Sequence, residues 1–199
     1  MPDTIAQLAD LAPGSAEDRA LSRRPTARAD AEEAYRLLVH PQDPGPVSLP
    51  ERRAVAAFTA LLHAEPAAAS HYLDLLAAVA PDLSVPVGRL AERGRGEGPW
   101  GRFPEGPLSR EDREGLTLRV TDAEAEALGP RLGAALEHAH LLTFHPRDAA
   151  SGDLARLLDA GWTTPGIVTL SQLVAFLAFQ VRVAAGLRAL TLSRAILAA

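Results

Sequence analysis

Cysteine is absent from the 199 residues. That excludes disulfides, thiolate metal sites, iron–sulfur clusters and catalysis by a thiol of the chain's own. Lysine and asparagine are missing too, so all 20 basic residues are Arg, and only three Ile occur. Residues with AT-rich codons are thus depleted, and the arginine excess reflects GC-rich coding rather than phosphate recognition. The net charge is a modest −5 with no basic stripe, so no nucleic-acid partner is expected. Aromatics make up 5% of the chain; the 47% hydrophobic content is mostly Ala and Leu, which favours helices over sheets. The N-terminus shows no cationic and then apolar targeting segment. The most apolar stretch, Ile167 to Leu190, is interrupted by Ser171, Gln172, Gln180, Arg182 and Arg188. It reads as the central helix of a soluble bundle, not a membrane span. The cytoplasm is the expected compartment, with no membrane partner. There is no G-x-S-x-G, no phosphate loop and no dinucleotide fingerprint. The tract Gly94 to Gly98 lacks a preceding strand and a Lys, so no cofactor is expected.

What is present reads as a succession of helices. Asp3 caps a short one carrying Ile5, Leu8 and Leu11 and stopping at Pro13-Gly14, and Ser15 with Asp18 starts a second that closes near Pro25. Thr26 begins a third, and the prolines between His40 and Ser48 force a loop. Ser48 and Glu51 form a capping box for a helix to His63, with Val55, Phe58, Leu61 and Leu62 at helical spacing. A short joint at Glu65-Pro66 leads into a helix to about Val79, making a helical hairpin. Residues 81–121, rich in Gly, Pro and Arg, are expected to be an irregular connection anchored by Trp100 and Phe103. Thr121 and Glu124 cap a helix that bends near Gly129-Pro130 and ends at His145-Pro146. Ser151 to Ala160 forms a short helix, and Thr164-Pro165 starts the last, expected to run to about Leu190. Ala68-Ala69-Ser70 with Leu73 and Leu76 is echoed by Ala149-Ala150-Ser151 with Leu154 and Leu157, suggesting two related hairpin halves.

Leu49 to Phe58 resembles the "LSxxERExIAxxV" helix of the AhpD-like carboxymuconolactone decarboxylase family. Leu154 to Ile167, containing Ala160-Gly161-Trp162, is similar to its "LxxAGFSDEEI" hairpin. Ala175-Phe176 through Phe179, Arg182, Gly186 and Leu187 resemble its "AYFNFxNRxxxGL" helix. "EHAH", "FHPRDA" and "LSQLVAF" recur in the family's cysteine-lacking, peroxidase-related branch. The resemblance implies an all-α, AhpD-like bundle of helical hairpins with a long Gly/Pro-rich connection. It divides the chain into an N-terminal helical arm (1–47), the helical domain (48–190, with the 81–121 insertion) and a C-terminal tail (191–199). It further implies a homo-oligomer, with a cysteine-containing paralogue as another possible partner. The family's active members relay protons through Glu, Cys-x-x-Cys and His; on this chain those positions fall on Arg53, Glu65, Ala68 and Tyr72. The resemblance therefore implies no thiol peroxidase activity, and a catalytically degenerate structural or regulatory subunit.

The densest polar cluster is Glu137-His138-Ala139-His140 through His145. On a helix Glu137 and His140 share a face, while His145 follows His138 by seven residues and aligns with it. No H-E-x-x-H occurs and no metal set is complete. The histidines read first as core groups or helix caps. The candidate catalytic set, for acid–base work on a small organic acid or lactone, is Glu137, His138, His140, His145 and His71. Arg182, flanked by Val181 and Val183, is expected in a buried ion pair with Glu137 or an interface acid.

Overall fold

Ten α-helices organise the described residues, 3–197, of the computed structural model. They are α1 (Thr4–Leu8), α2 (Ala16–Ser22), α3 (Pro25–Val39), α4 (Leu49–Leu62), α5 (Pro66–Ala77), α6 (Pro81–Arg93), α7 (Asp122–Leu128), α8 (Pro130–Phe144), α9 (Ser151–Asp159) and α10 (Thr164–Leu197). Short 3-10 turns follow at Pro107–Glu111 and Pro146–Asp148. The fold is all-α: the described residues contain no strand, only an isolated antiparallel bridge between Gly101 and Arg113.

Helix α4 is the axis. Ser48 and Glu51 exchange reciprocal caps at its start, and the helix then packs against α5, α6, α8 and α10. A helix enclosed on all sides must be small and apolar all round, and the run Ala54 to Phe58 is fully buried. Arg52, enclosed with it, donates to the carbonyls of Val47, Leu38 and Pro44, at 2.9, 3.1 and 2.8 Å. That guanidinium stitches the proline-rich loop to the core, satisfying donors that burial would otherwise leave stranded. Arg131 does the same from α8, at the same N-terminal end of α4. It binds Glu51 at 2.7 Å and the Pro46 carbonyl at 2.9 Å, and stacks 3.8 Å from the centre of the Trp162 ring.

Three expectations need correction. Residues 81–121 are not irregular throughout, because α6 occupies Pro81–Arg93. Pro81 stands in the first turn, where no N–H is required, and Pro86 removes only one interior bond. Val87, Leu90 and Ala91 then bury a continuous helical face against α4. The helix after Thr121 is two, α7 and α8, divided at Gly129, whose φ of 78° no interior helix residue adopts. The last helix does not stop near Leu190: α10 continues through most of the expected tail to Leu197. The N-terminal helices contribute Leu8, Ala9, Tyr35 and Val39 to the same core as α4 and α10.

Candidate functional site

The sequence-chosen residues do not meet in one place. Helix α8 ends at Phe144, and His145 leaves the helix with φ −126° and ψ 41°, so its seven-residue alignment with His138 is lost. His145 turns instead to Asp148 and the Leu116 carbonyl, each at 2.9 Å. His138 Nε2 meets Ser171 Oγ at 3.0 Å. Because that hydroxyl donates to the Ile167 carbonyl, it must accept from His138, leaving the buried Nδ1 without a partner. His140 donates to the Gly94 carbonyl at 3.0 Å and packs against Trp100 and Phe144. Burial drives its pKa down from 6.5 to about 4, so it is neutral at pH 7. Glu137 accepts from the Val120 N–H at 2.7 Å and from Arg119 at 3.2 Å. Only His140 and His145 come together, 6.3 Å between ring centres in an aromatic cluster. Each of these four therefore holds irregular backbone or a neighbouring helix. Arg182 is exposed, not buried in an ion pair, and forms no hydrogen bond or salt bridge among the described residues.

His71, the fifth candidate, belongs to a different constellation that joins α3, α4 and α5. Arg53 Nη2 lies 3.2 Å from His40 Nδ1, His40 Nε2 lies 2.9 Å from Tyr35 Oη, and Tyr35 Oη lies 2.8 Å from His71 Nε2. A guanidinium only donates, so His40 Nδ1 must accept and its Nε2 must carry the proton. His40 therefore donates to Tyr35, which in turn donates to His71. The chain of bonds has one direction, from Arg53 to His71. Burial raises the Tyr35 hydroxyl to about 12 and lowers both histidines, keeping all three groups neutral at pH 7. Tyr35 and His40 form part of the wall of a cavity of about 720 Å³, together with Ser22, Pro25, Ala29 and Glu32. The charges around it are engaged: Glu32 accepts from the Thr4 N–H at 2.8 Å, and Arg28 pairs with Asp3 and with Asp18.

Sequence reading passed over Tyr35, His40 and Arg53 in this role. Nothing local announces it, because the three lie on two helices and a loop. The available signal was a polar residue at an inward helical position, Arg53 beside Ala54, with one histidine, His40, at a helix end and another, His71, within α5.

Next to this chain lies a second buried polar pair. Tyr72 donates to Gln180 Oε1, both fully enclosed between α5 and α10, and Gln180 Nε2 has no partner. Glu65 caps α5 through the Ala68 N–H at 2.9 Å and pairs with Arg188 at 2.6 Å. No group of three or more His, Asp or Glu side chains is arranged to hold a metal ion among the described residues. Comparison with protein-family models, with curated proteins and with solved structures gives no match.

Proposed function

We propose that this chain is a cysteine-free protein on an AhpD-like scaffold, not a thiol peroxidase, and that it serves as a catalytically degenerate structural or regulatory oligomer subunit. One observation carries the reading. The four positions where the resemblance places the Glu, Cys, Cys and His relay hold Arg53, Glu65, Ala68 and Tyr72, and each is committed to architecture. Arg53 donates to the Leu75 carbonyl at 2.9 Å, Glu65 caps a helix, Ala68 is fully buried, and Tyr72 is tied to Gln180. A peroxidatic centre needs a thiolate within reach of a proton donor and a hydroperoxide. Here the first requirement is absent from the composition. A cysteine-containing paralogue would supply that chemistry in a mixed assembly. The pure chain, given tert-butyl hydroperoxide and a dithiol reductant, is expected to consume neither above the buffer rate; sustained turnover would refute the proposal.

A second reading rests on a separate observation, the directed Arg53–His40–Tyr35–His71 chain beside the cavity. On this reading the protein is an enzyme of acid–base type, decarboxylase-like, acting on a small organic acid or lactone. Tyr35 would pass a proton to His71 as a ligand's proton reaches Tyr35. Turnover of a panel of γ-lactones or β-keto acids that is lost in Tyr35→Phe, with the helical spectrum retained, would favour this reading over the first.

A further inference from the structure

Helix α10 has a second side that the protein does not use. Leu170, Leu173, Leu177, Val181 and Ala184 are buried, and the helix packs on α4 and α8. Opposite them, within about 40° of Phe179 around the axis, lie Val168, Gln172, Ala175, Val183, Gly186 and Leu190. Val168, Phe179 and Leu190 are 51%, 48% and 54% exposed, and Val183 is half-buried. Steps of three and four residues keep this stripe in line over roughly 33 Å, the spacing that lets two helices share a seam. Arg182, without a partner among the described residues, stands at its margin.

Two measures of size point the same way. A compact monomer of 21.0 kDa exposes about 9,000 Å², whereas this chain exposes 10799 Å². The excess is larger than the roughly 800 Å² that each partner loses in a standard interface. The 34 residues of α10 span about 51 Å, longer than the roughly 40 Å diameter of a compact chain of this length. Its last turns accordingly carry Leu190, Leu192 and Ile196 into solvent.

The stripe is also complementary to itself. Reversed about Phe179, it sets Val168 against Leu190, Ala175 against Val183, and Gln172 against Gly186. Bulk then meets a small residue in two of the three pairs, with Phe179 on the axis. Self-complementarity of this kind is what a two-fold interface demands. We infer that α10 is the docking surface for a second copy of this chain, paired antiparallel across Phe179 in a two-fold dimer. This deepens the subunit reading by naming the partner and the face. Its test is separate from that reading: an inert monomer sinks the dimer and leaves the subunit role to a mixed assembly with a paralogue, and a dimer that turns over hydroperoxide sinks only the subunit reading.

The absence of cysteine makes the decisive experiment clean, because Phe179→Cys introduces the sole thiol. Sedimentation velocity of the full chain is expected to give twice the monomer mass. Mild oxidation should link Phe179→Cys to its own copy within the dimer, while the equally exposed control Leu154→Cys on α9 links slowly. Phe179→Glu, which puts like charges on the axis without touching the core, should weaken association by about thirtyfold or more and leave the circular dichroism unchanged. A monomer at 100 µM overturns the inference, as does a dimer undisturbed by Phe179→Glu or equal linking by the two thiols. A lipid surface is the competing occupant, since α10 is apolar and long enough to cross a membrane, although half of that apolar window is buried in the bundle. A monomer that floats with phosphatidylcholine vesicles would assign the face to lipid.

Discussion

Trp100 stands between two glycines, and that arrangement explains how a segment with little secondary structure stays in place. Its indole packs at a tilt against Phe144 and His145, with ring centres 5.1 Å apart in both cases, and its backbone N–H donates to the Phe144 carbonyl at 2.6 Å. A methyl at Gly96 or Gly115 would fall inside the indole. Gly115→Ala is therefore expected to destabilise the fold by about 1–3 kcal/mol, the usual effect of overpacking, read as a lower urea midpoint with unchanged slope. The same segment takes polar support from His140, which donates to the Gly94 carbonyl, and buried histidines of this kind make stability depend on pH. Burial holds His63 and His140 near 4 in the folded chain, against 6.5 ordinarily. Between those values the unfolded chain binds protons that the folded chain refuses, so stability is complete above about pH 6.5 and falls as pH drops toward 4. The two groups together set a slope of about 2 kcal/mol per pH unit near pH 5. Urea midpoints at pH 7 and pH 5 check this, and His140→Gln should reduce the difference. Trp100 was legible as an anchor because a tryptophan amid Gly and Pro has few other reasons to be there. The roles of Gly96 and Gly115 were not legible, since a close approach between distant residues leaves no local trace.

Among the elements, those with explicit punctuation were readable and those stabilised by tertiary burial were not. Ser48-x-x-Glu51 and Thr121-x-x-Glu124 both form the reciprocal caps their spacing implies. Ser48→Ala is expected to lower stability by about 1 kcal/mol, measurable by thermal melting, because it removes the acceptor for the Glu51 N–H. Helix α6 was hidden by Pro86, Gly88 and the glycines that follow, and it forms because Val87, Leu90 and Ala91 find an apolar slot beside α4. The candidate residues are dispersed for a related reason. Helical periodicity placed Glu137 and His140 on one face, but the 81–121 segment lies along that face and takes each side chain separately, at Val120 and at Gly94. His138 and His145 part company because the helix ends one residue before His145. Between α5 and α10 the Tyr72–Gln180 pair offers a direct measurement of how polar groups hold this bundle. Tyr72→Phe should reduce stability by about 1–3 kcal/mol, since it strands Gln180 in an apolar wall. Tyr72→Phe with Gln180→Leu should recover most of that, and a double-mutant cycle from urea denaturation gives the coupling.

For the molecule as a whole, the question is whether the first three helices are an arm or part of the body. The division at residue 47 follows a loop that composition makes obvious, with three prolines and a glycine between His40 and Ser48. Composition does not reveal that Arg52 closes this loop onto the core through three carbonyls, or that α10 is held to the arm at both of its neighbours. Arg188 donates to the Leu8 carbonyl, and Arg194 pairs with Glu17 at 3.1 Å. Ile5, Leu8 and Ala9 are as deeply buried as the residues of α4. Elements that share one core and are tied across it by hydrogen bonds and ion pairs lose their partners together, so unfolding is expected to be a single cooperative event. Far-ultraviolet circular dichroism reports all ten helices, while fluorescence reports Trp100 in the long connection and Trp162 at the α9–α10 turn. Their urea transitions should superimpose. A chain lacking residues 1–24 should expose the apolar flank of α10 and unfold at a much lower urea concentration, with a shallower slope because less surface is buried. Separate transitions in the full chain, or a truncated chain of undiminished stability, would show that the arm folds apart from the bundle.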